Sequence, residues 1–214
     1  MNPTPVNAVL LVNGLRFHYP GQAALFDDWS ARVAPGITLV RGGESRGKTT
    51  LLRLLAGDLA ATAGRLQING VPLDQSASAY RQQVFWTDAR SDAFDQLSAR
   101  AYLASLGTRY ANFDPQAVAP LLDGLSLTGH QHKPLYMLST GSKRKVWLTA
   151  AFACGAPLTL LDDPFAALDK ASIRFVTERL ATEAAQSGSP RAWLIADHAA
   201  PESVSLAAVI DLGE

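Results

Sequence analysis

The stretch Gly42-Gly43-Glu44-Ser45-Arg46-Gly47-Lys48-Thr49 constrains this chain more than any other. It fits G-x-x-x-x-G-K-[ST], and its flanks are those the pattern needs. Ile37-Thr38-Leu39-Val40 before it is a compact apolar strand. Leu51, Leu52, Leu54 and Leu55 after it recur at helical spacing, and Gly57 is a helix stop. A strand that turns through glycines into a helix makes a phosphate cradle. The glycines let the backbone wrap closely with its N–H groups inward, and the helix N-terminus adds partial positive charge. Lys48 is placed to reach the β- and γ-phosphates of a nucleotide, and the Thr49 hydroxyl to ligate Mg2+. Gly42 to Thr50 is therefore the candidate binding segment, with Glu44 and Arg46 expected as a solvated pair of side chains.

Around the loop the hydrophobic pattern alternates. Leu10, Val12, Leu15 and Phe17 read as a strand, and Trp29, Ala31 and Val33 as another that runs up to Pro35-Gly36. Leu66 to Leu73 reads as a hairpin about Asn69-Gly70, and Gln83 to Trp86 as a further strand. From about Ser98 to Gly155 the pattern is mostly helical. Asp114-Pro115 is a cap followed by proline in the first turn, Gly124 closes that helix, and Ser139 caps the helix through Val146 and Leu148. Leu158 to Leu161 and Trp193 to Ala196 are strands, as is Val209-Ile210. Ile173, Val176, Leu180 and Ala184 form a helical stripe, and Ser187-Gly188-Ser189-Pro190 is a loop. Such alternation predicts a largely parallel sheet with covering helices. The helical middle reads as an insert, about residues 91–155, in a single domain over 1–214. With 214 residues, 48% of them hydrophobic, the chain can bury one large core.

Charge and anchors exclude several classes. Lys+Arg is 19 and Asp+Glu is 19, a zero balance that argues against a dedicated nucleic-acid binder. Cys154 is alone, so no intrachain disulfide staples the fold. The longest uncharged run, Val146 to Leu161, is broken by Gly155 and Pro157 and falls short of the ~20 apolar residues of a spanning helix. No Lys or Arg precedes Arg16, and Pro3 and Pro5 interrupt the start, which argues against a signal peptide. The expected location is the cytoplasm, unless a partner holds the protein at a membrane. Lys143-Arg144-Lys145 is expected to be a solvated helix face.

Leu160-Leu161-Asp162-Asp163 sets a carboxylate pair at the end of a buried strand. Beside a phosphate loop, the first carboxylate of such a pair holds Mg2+, usually through water, which fits Asp162. Asp163 is then placed to orient or deprotonate the attacking water.

The order of further pieces resembles one family. Leu138-Ser139-Thr140-Gly141-Ser142 resembles the LSGGQ signature of ABC-type ATPases, and Asp162-Asp163-Pro164-Phe165 their Walker B segment. Ala167-Leu168-Asp169 resembles their D-loop, His198 their switch histidine, and Tyr19 the aromatic that stacks on adenine. The resemblance covers nearly the whole chain. It implies the ABC ATPase fold: α/β, a P-loop NTPase core with a mainly parallel sheet, an N-terminal antiparallel β subdomain and a helical subdomain insert. It implies ATP and Mg2+ as ligands. It further implies a homodimer or pseudo-dimer that closes head to tail around two ATP molecules. Each ATP lies on one subunit's phosphate loop, and Ser139 and the Gly141 N–H of the other contact its γ-phosphate, so that donors meet developing charge. His198 also touches the γ-phosphate, and Asp169 couples the two sites. Lys48, Asp163 and His198 are the catalytic candidates on this resemblance.

Three departures bear on activity. Asp163 stands where the family has a glutamate, one methylene longer, and a misplacement of roughly 1 Å can cost about 10²-fold in rate. Thr140 and Ser142 replace glycine and glutamine in the signature. The Q-loop glutamine is absent: the window reads Thr87-Asp88-Ala89-Arg90, with Asp88 or Arg90 as stand-ins. The resemblance implies an ATP-binding subunit of an ABC transporter, peripheral on the inner face of the cell membrane. It would drive transport through a separate integral membrane subunit docked near the helical insert and the 88–90 loop. The short length resembles compact subunits such as the haem-exporter type. Two other functions stay open: an ATP-gated dimerisation switch with weak hydrolysis, and a soluble ABC-type ATPase outside transport. No nucleic-acid partner is expected.

Overall fold

The computed structural model describes residues 8–88, 91–186 and 188–213. Ala89 and Arg90 of the Q-loop window, and Ser187, lie outside the described residues.

The N-terminal half builds an antiparallel sheet. β1 (Leu10–His18) pairs with β2 (Ala24–Val33) on one side and β4 (Ala63–Ile68) on the other, and β5 (Val71–Pro72) extends β4, giving the order β2-β1-β4-β5. Leu10, Val12, Leu15 and Phe17 are all buried although the step from 12 to 15 breaks the period of two. The pairing shifts register between Val12 and Leu15, at Gly14 with φ 61°, and the extra residue returns the apolar set to the core face. The hairpin turns at Asn69 (φ 48°) and Gly70 (φ 80°), both left-handed, as a two-residue connection that matches strand twist requires.

The second sheet is parallel, in the order β6-β7-β8-β3-β9, from β3 (Gly36–Arg41), β6 (Val84–Phe85), β7 (Leu158–Asp162), β8 (Ala192–Ala196) and β9 (Ala208–Asp211). Its middle strands are buried on both faces, hence their unbroken apolar runs. In β8, Trp193 and Ile195 join the core beneath the helices, whereas Leu194 and Ala196 join a second core with α1 (Lys48–Ala56) and the antiparallel sheet. After the short α2 (Ala77–Gln82) come α3 (Ala99–Arg109), α4 (Pro115–Gly124) and α5 (Thr140–Ala153), all between β6 and β7, while α6 (Lys170–Ala185) links β7 to β8. Side chains cap four of these helices: Ser98, Asp114, Ser139 and Asp169 each accept a backbone N–H of their own first turn. The expected architecture is borne out: a mainly parallel core, an antiparallel β layer and a helical segment. Among the described residues, no helix is long and apolar enough to cross a membrane.

Register sets the geometry of one sheet edge. Val40 of β3 and Asp162 of β7 both pair with Ala196 of β8, so three strands end level. The ladder runs one step further, with Asp163 N donating to Ala196 O (2.9 Å) and Asp197 N to Val40 O (3.2 Å). The segments that begin at Gly42, Asp163 and Asp197 therefore leave the same edge of the sheet, the carboxyl edge where α/β sheets place ligands.

Candidate active site

The phosphate loop turns through left-handed residues, Ser45 (φ 60°) and Gly47 (φ 87°), and Gly47 is the N-cap of α1. Lys48 Nζ donates to the carbonyls of Gly42 (2.7 Å) and Gly43 (2.9 Å), so its ammonium lies against the loop's own backbone. Glu44 and Arg46 are exposed. A cleft of about 680 Å3 runs along the loop from Tyr19 and Leu25 past Ser45 to Thr50. Tyr19 stands edge-on to Phe17, with ring centroids 4.9 Å apart, and its hydroxyl lies 3.0 Å from Thr50 Oγ1. The aromatic and the loop thus wall one cleft.

A second cavity, about 480 Å3, lies beside it and gathers Lys48, Thr49, Asp162, Asp163, Asp197 and His198. Thr49 Oγ1 donates to Asp162 Oδ2 at 2.7 Å. A hydroxyl and a carboxylate converging from α1 and β7 are an oxygen donor set suited to Mg2+, which takes few protein ligands and fills its shell with water and phosphate. Among the described residues no three His, Cys, Asp or Glu side chains form a metal cage. Asp163 is exposed and left-handed, at φ 46°. Asp197 accepts from the His198 N–H at 2.6 Å. Burial pushes the Asp197 carboxyl above its ordinary value and the Asp163 charge adds to this, while the His198 N–H opposes it. His198 also borders a third cavity, of about 530 Å3, with Gly42 and Gly43.

Ser139, Gly141 and Asp169 line none of these three cavities. Ser139 is exposed at the start of α5, where its oxygen accepts from Ser142 N (3.2 Å). Gly141 is pressed against the D-loop: a Cβ there would stand 2.4 Å from Ala167 O. Asp169 caps α6 through Ser172 and accepts from Lys145 Nζ at 2.7 Å, and Lys145 and Ser172 together hold its carboxyl far below the usual range.

The basic run corrects the sequence reading, which took Lys143-Arg144-Lys145 as a solvated face. Lys143 pairs with Asp95 at 2.6 Å, both side chains largely covered, and Lys145 with Asp169. Arg144 Nη1 donates to the carbonyls of Asp162 (3.4 Å) and Asp163. The cause is depth: Val146 to Ala153 are all buried, so the turn before them also meets walls on several sides. Sequence reasoning missed Arg144 and Asp197 as lining residues. Arg144 follows Thr140 by four residues on one helix face, and both line the second cavity, which no local sequence signal announced.

The profile of the family described as "ABC transporter" matches residues 26–166. The cytochrome c biogenesis ATP-binding export protein CcmA of Pseudomonas fluorescens (strain Pf0-1) is 33% identical over 165 residues, 77% of this chain and 78% of that protein. The taurine import ATP-binding protein TauB of the same strain is 34% identical over 164 residues, 76% of this chain and 62% of that protein. A solved ATP binding subunit of an ABC transporter superposes with a TM-score of 0.78 at 24% identity, covering 89% of this chain and 79% of that one, a likeness of fold. On this match over most of its length, the chain belongs to the ABC transporter family and is an ATP-binding subunit with ATPase chemistry.

Proposed function

We propose that this chain is a single ATPase unit over 1–214, with a helical insert at about 91–155, that hydrolyses ATP with Mg2+ at a head-to-tail dimer interface and drives a separate integral membrane subunit. The observation that carries this is the convergence of Lys48, Thr49, Asp162, Asp163 and His198 on one cavity, at the edge where three strands end level. Gly42 to Thr50 cradle the phosphates, Lys48 turns its ammonium from the loop carbonyls to the β- and γ-phosphates, and Tyr19 stacks on the adenine. Thr49 and Asp162 would hold Mg2+, which neutralises phosphate charge when bound. Asp163 orients the attacking water and accepts its proton, and His198 contacts the γ-phosphate. Ser139 and Gly141 act on the nucleotide of the second subunit, a role that the exposure of Ser139 at a helix start supports. Asp169 sits between the sites.

The likeness to CcmA proteins, which are named ATP-binding export proteins, supports a subunit of the export type, and we place it peripherally on the inner membrane face. Steady-state hydrolysis by wild type and Asp163→Asn, with ATP-dependent dimerisation read by light scattering, tests the reading. Turnover that falls about 10²-fold in Asp163→Asn supports it. A second reading, the ATP-gated switch, is favoured by Asp163 itself, which is short for its task. A wild type that dimerises on ATP yet turns over only as fast as Asp163→Asn establishes the switch instead.

A further inference from the structure

We infer that Arg144 is a positioning residue for hydrolysis: its guanidinium holds the Asp162-Asp163 turn and ties it to the helix that carries Ser139 and Gly141. The inference rests on Asp163 being the group that orients water.

Asp163 has a left-handed backbone, which Asp reaches more readily than most residues and which contacts on both of its peptides hold in place here. Two groups do so from opposite sides. The Ala196 carbonyl of β8 accepts the Asp163 N–H at 2.9 Å. Arg144 of α5 donates to the Asp163 carbonyl, and to that of Asp162 at 3.4 Å. The sheet fixes one peptide of Asp163 and the signature helix fixes the other. The direction of the Asp163 side chain therefore depends on where α5 places the guanidinium.

The rest of Arg144 speaks against a simple folding staple. Its Nε is buried with no acceptor among the described residues, as is Trp147 Nε1, and both residues line a cavity of about 30 Å3 beside β7. A buried donor left unpaired is unfavourable and calls for a reason. The grip of Nη1 on the two carbonyls is that reason.

The neighbours of Arg144 make the connection stiff. Lys143 is tied to Asp95 at 2.6 Å and Lys145 to Asp169 at 2.7 Å, while Ala167 O abuts Gly141. A shift at the start of α5 thus moves the acidic turn and the D-loop together. When Ser139 and Gly141 engage the second subunit's nucleotide, Arg144 carries that event to Asp163 of its own subunit.

The test compares wild type, Arg144→Gln, Arg144→Lys and Asp163→Asn by steady-state kinetics, Mg-ATP titration and ATP-dependent dimerisation. Arg144→Gln is expected to lower kcat by about 10- to 10²-fold, with Mg-ATP affinity and dimerisation within about twofold of wild type. Arg144→Lys is expected to recover part of the loss, since an ammonium keeps the charge and one carbonyl but not the planar fork. An Arg144→Gln kcat within about twofold of wild type, beside a slow Asp163→Asn, overturns this inference and leaves the proposed function standing. Equal parallel losses of kcat, affinity and Tm in both Arg144 variants also overturn it. A wild type no faster than Asp163→Asn overturns both.

Discussion

The Thr49 hydroxyl donates a 2.7 Å hydrogen bond to Asp162, joining the first turn of α1 to the end of β7. In the sheet, β3 and β7 are separated by β8, so the strands feeding these two residues stand about 10 Å apart. The phosphate loop closes that gap by leaving β3 level with Ala196 and curling back over the strand ends. A slip of one residue in the pairing of β7 with β8 would move Asp162 to the opposite face. The site is thus a product of sheet register as much as of its motif.

Asp197 gives a test by pH. Burial raises its carboxyl above the ordinary ~3.9, and Asp163 adds to the shift. A raised carboxyl helps the fold most when protonated, so its contribution is greatest below about pH 4 and is lost as pH rises through the raised value. Asp197→Asn keeps the oxygen that accepts from His198 N and removes the charge. Thermal unfolding is expected to show a higher Tm than wild type at neutral pH and no difference near pH 4; a gain at neither pH counts against the assignment.

Asp169 carries the opposite sign. Lys145 and Ser172 hold its carboxyl down, so its contribution is present above about pH 4 and disappears as pH falls through the depressed value. Lys145→Gln, which removes the first of these partners, should lower Tm at neutral pH, with the two curves converging in acid. A constant offset at all pH values would mean that Lys145 stabilises by packing alone.

Gly141 separates a steric demand from helix propensity. In an ordinary helix Gly→Ala stabilises by about 1 kcal/mol. Here the new Cβ would stand 2.4 Å from Ala167 O, a backbone atom that cannot swing aside. Gly141→Ala is expected to destabilise by about 1–3 kcal/mol in denaturant titration, the usual cost of overpacking. A more stable variant would contradict the contact.

What was legible in the sequence was local. The strand–loop–helix course through Gly42 to Thr49, the Asn69-Gly70 turn, the caps Asp114 and Ser139 and the stop at Gly57 each rest on a few adjacent residues, and each has the expected local conformation. What depends on distant partners was not legible. Charge runs usually face water, and nothing near Lys143-Arg144-Lys145 announces Asp95, the Asp162-Asp163 carbonyls and Asp169 as their partners. No motif singles out Asp197; the pairing of Asp162 with Ala196 brings it beside Asp163. The break between Val12 and Leu15 hid a bulge that keeps one face apolar.

The proposed function requires Gly42 to Thr50 to grip a magnesium–triphosphate complex. Calorimetric titration of Mg-ATP into wild type and Lys48→Ala tests it most directly. Saturable binding by wild type, weakened about tenfold or more in Lys48→Ala, is the predicted result, since the lost ammonium is a charged partner of the phosphates. No binding by wild type, or equal binding by both proteins, would contradict it.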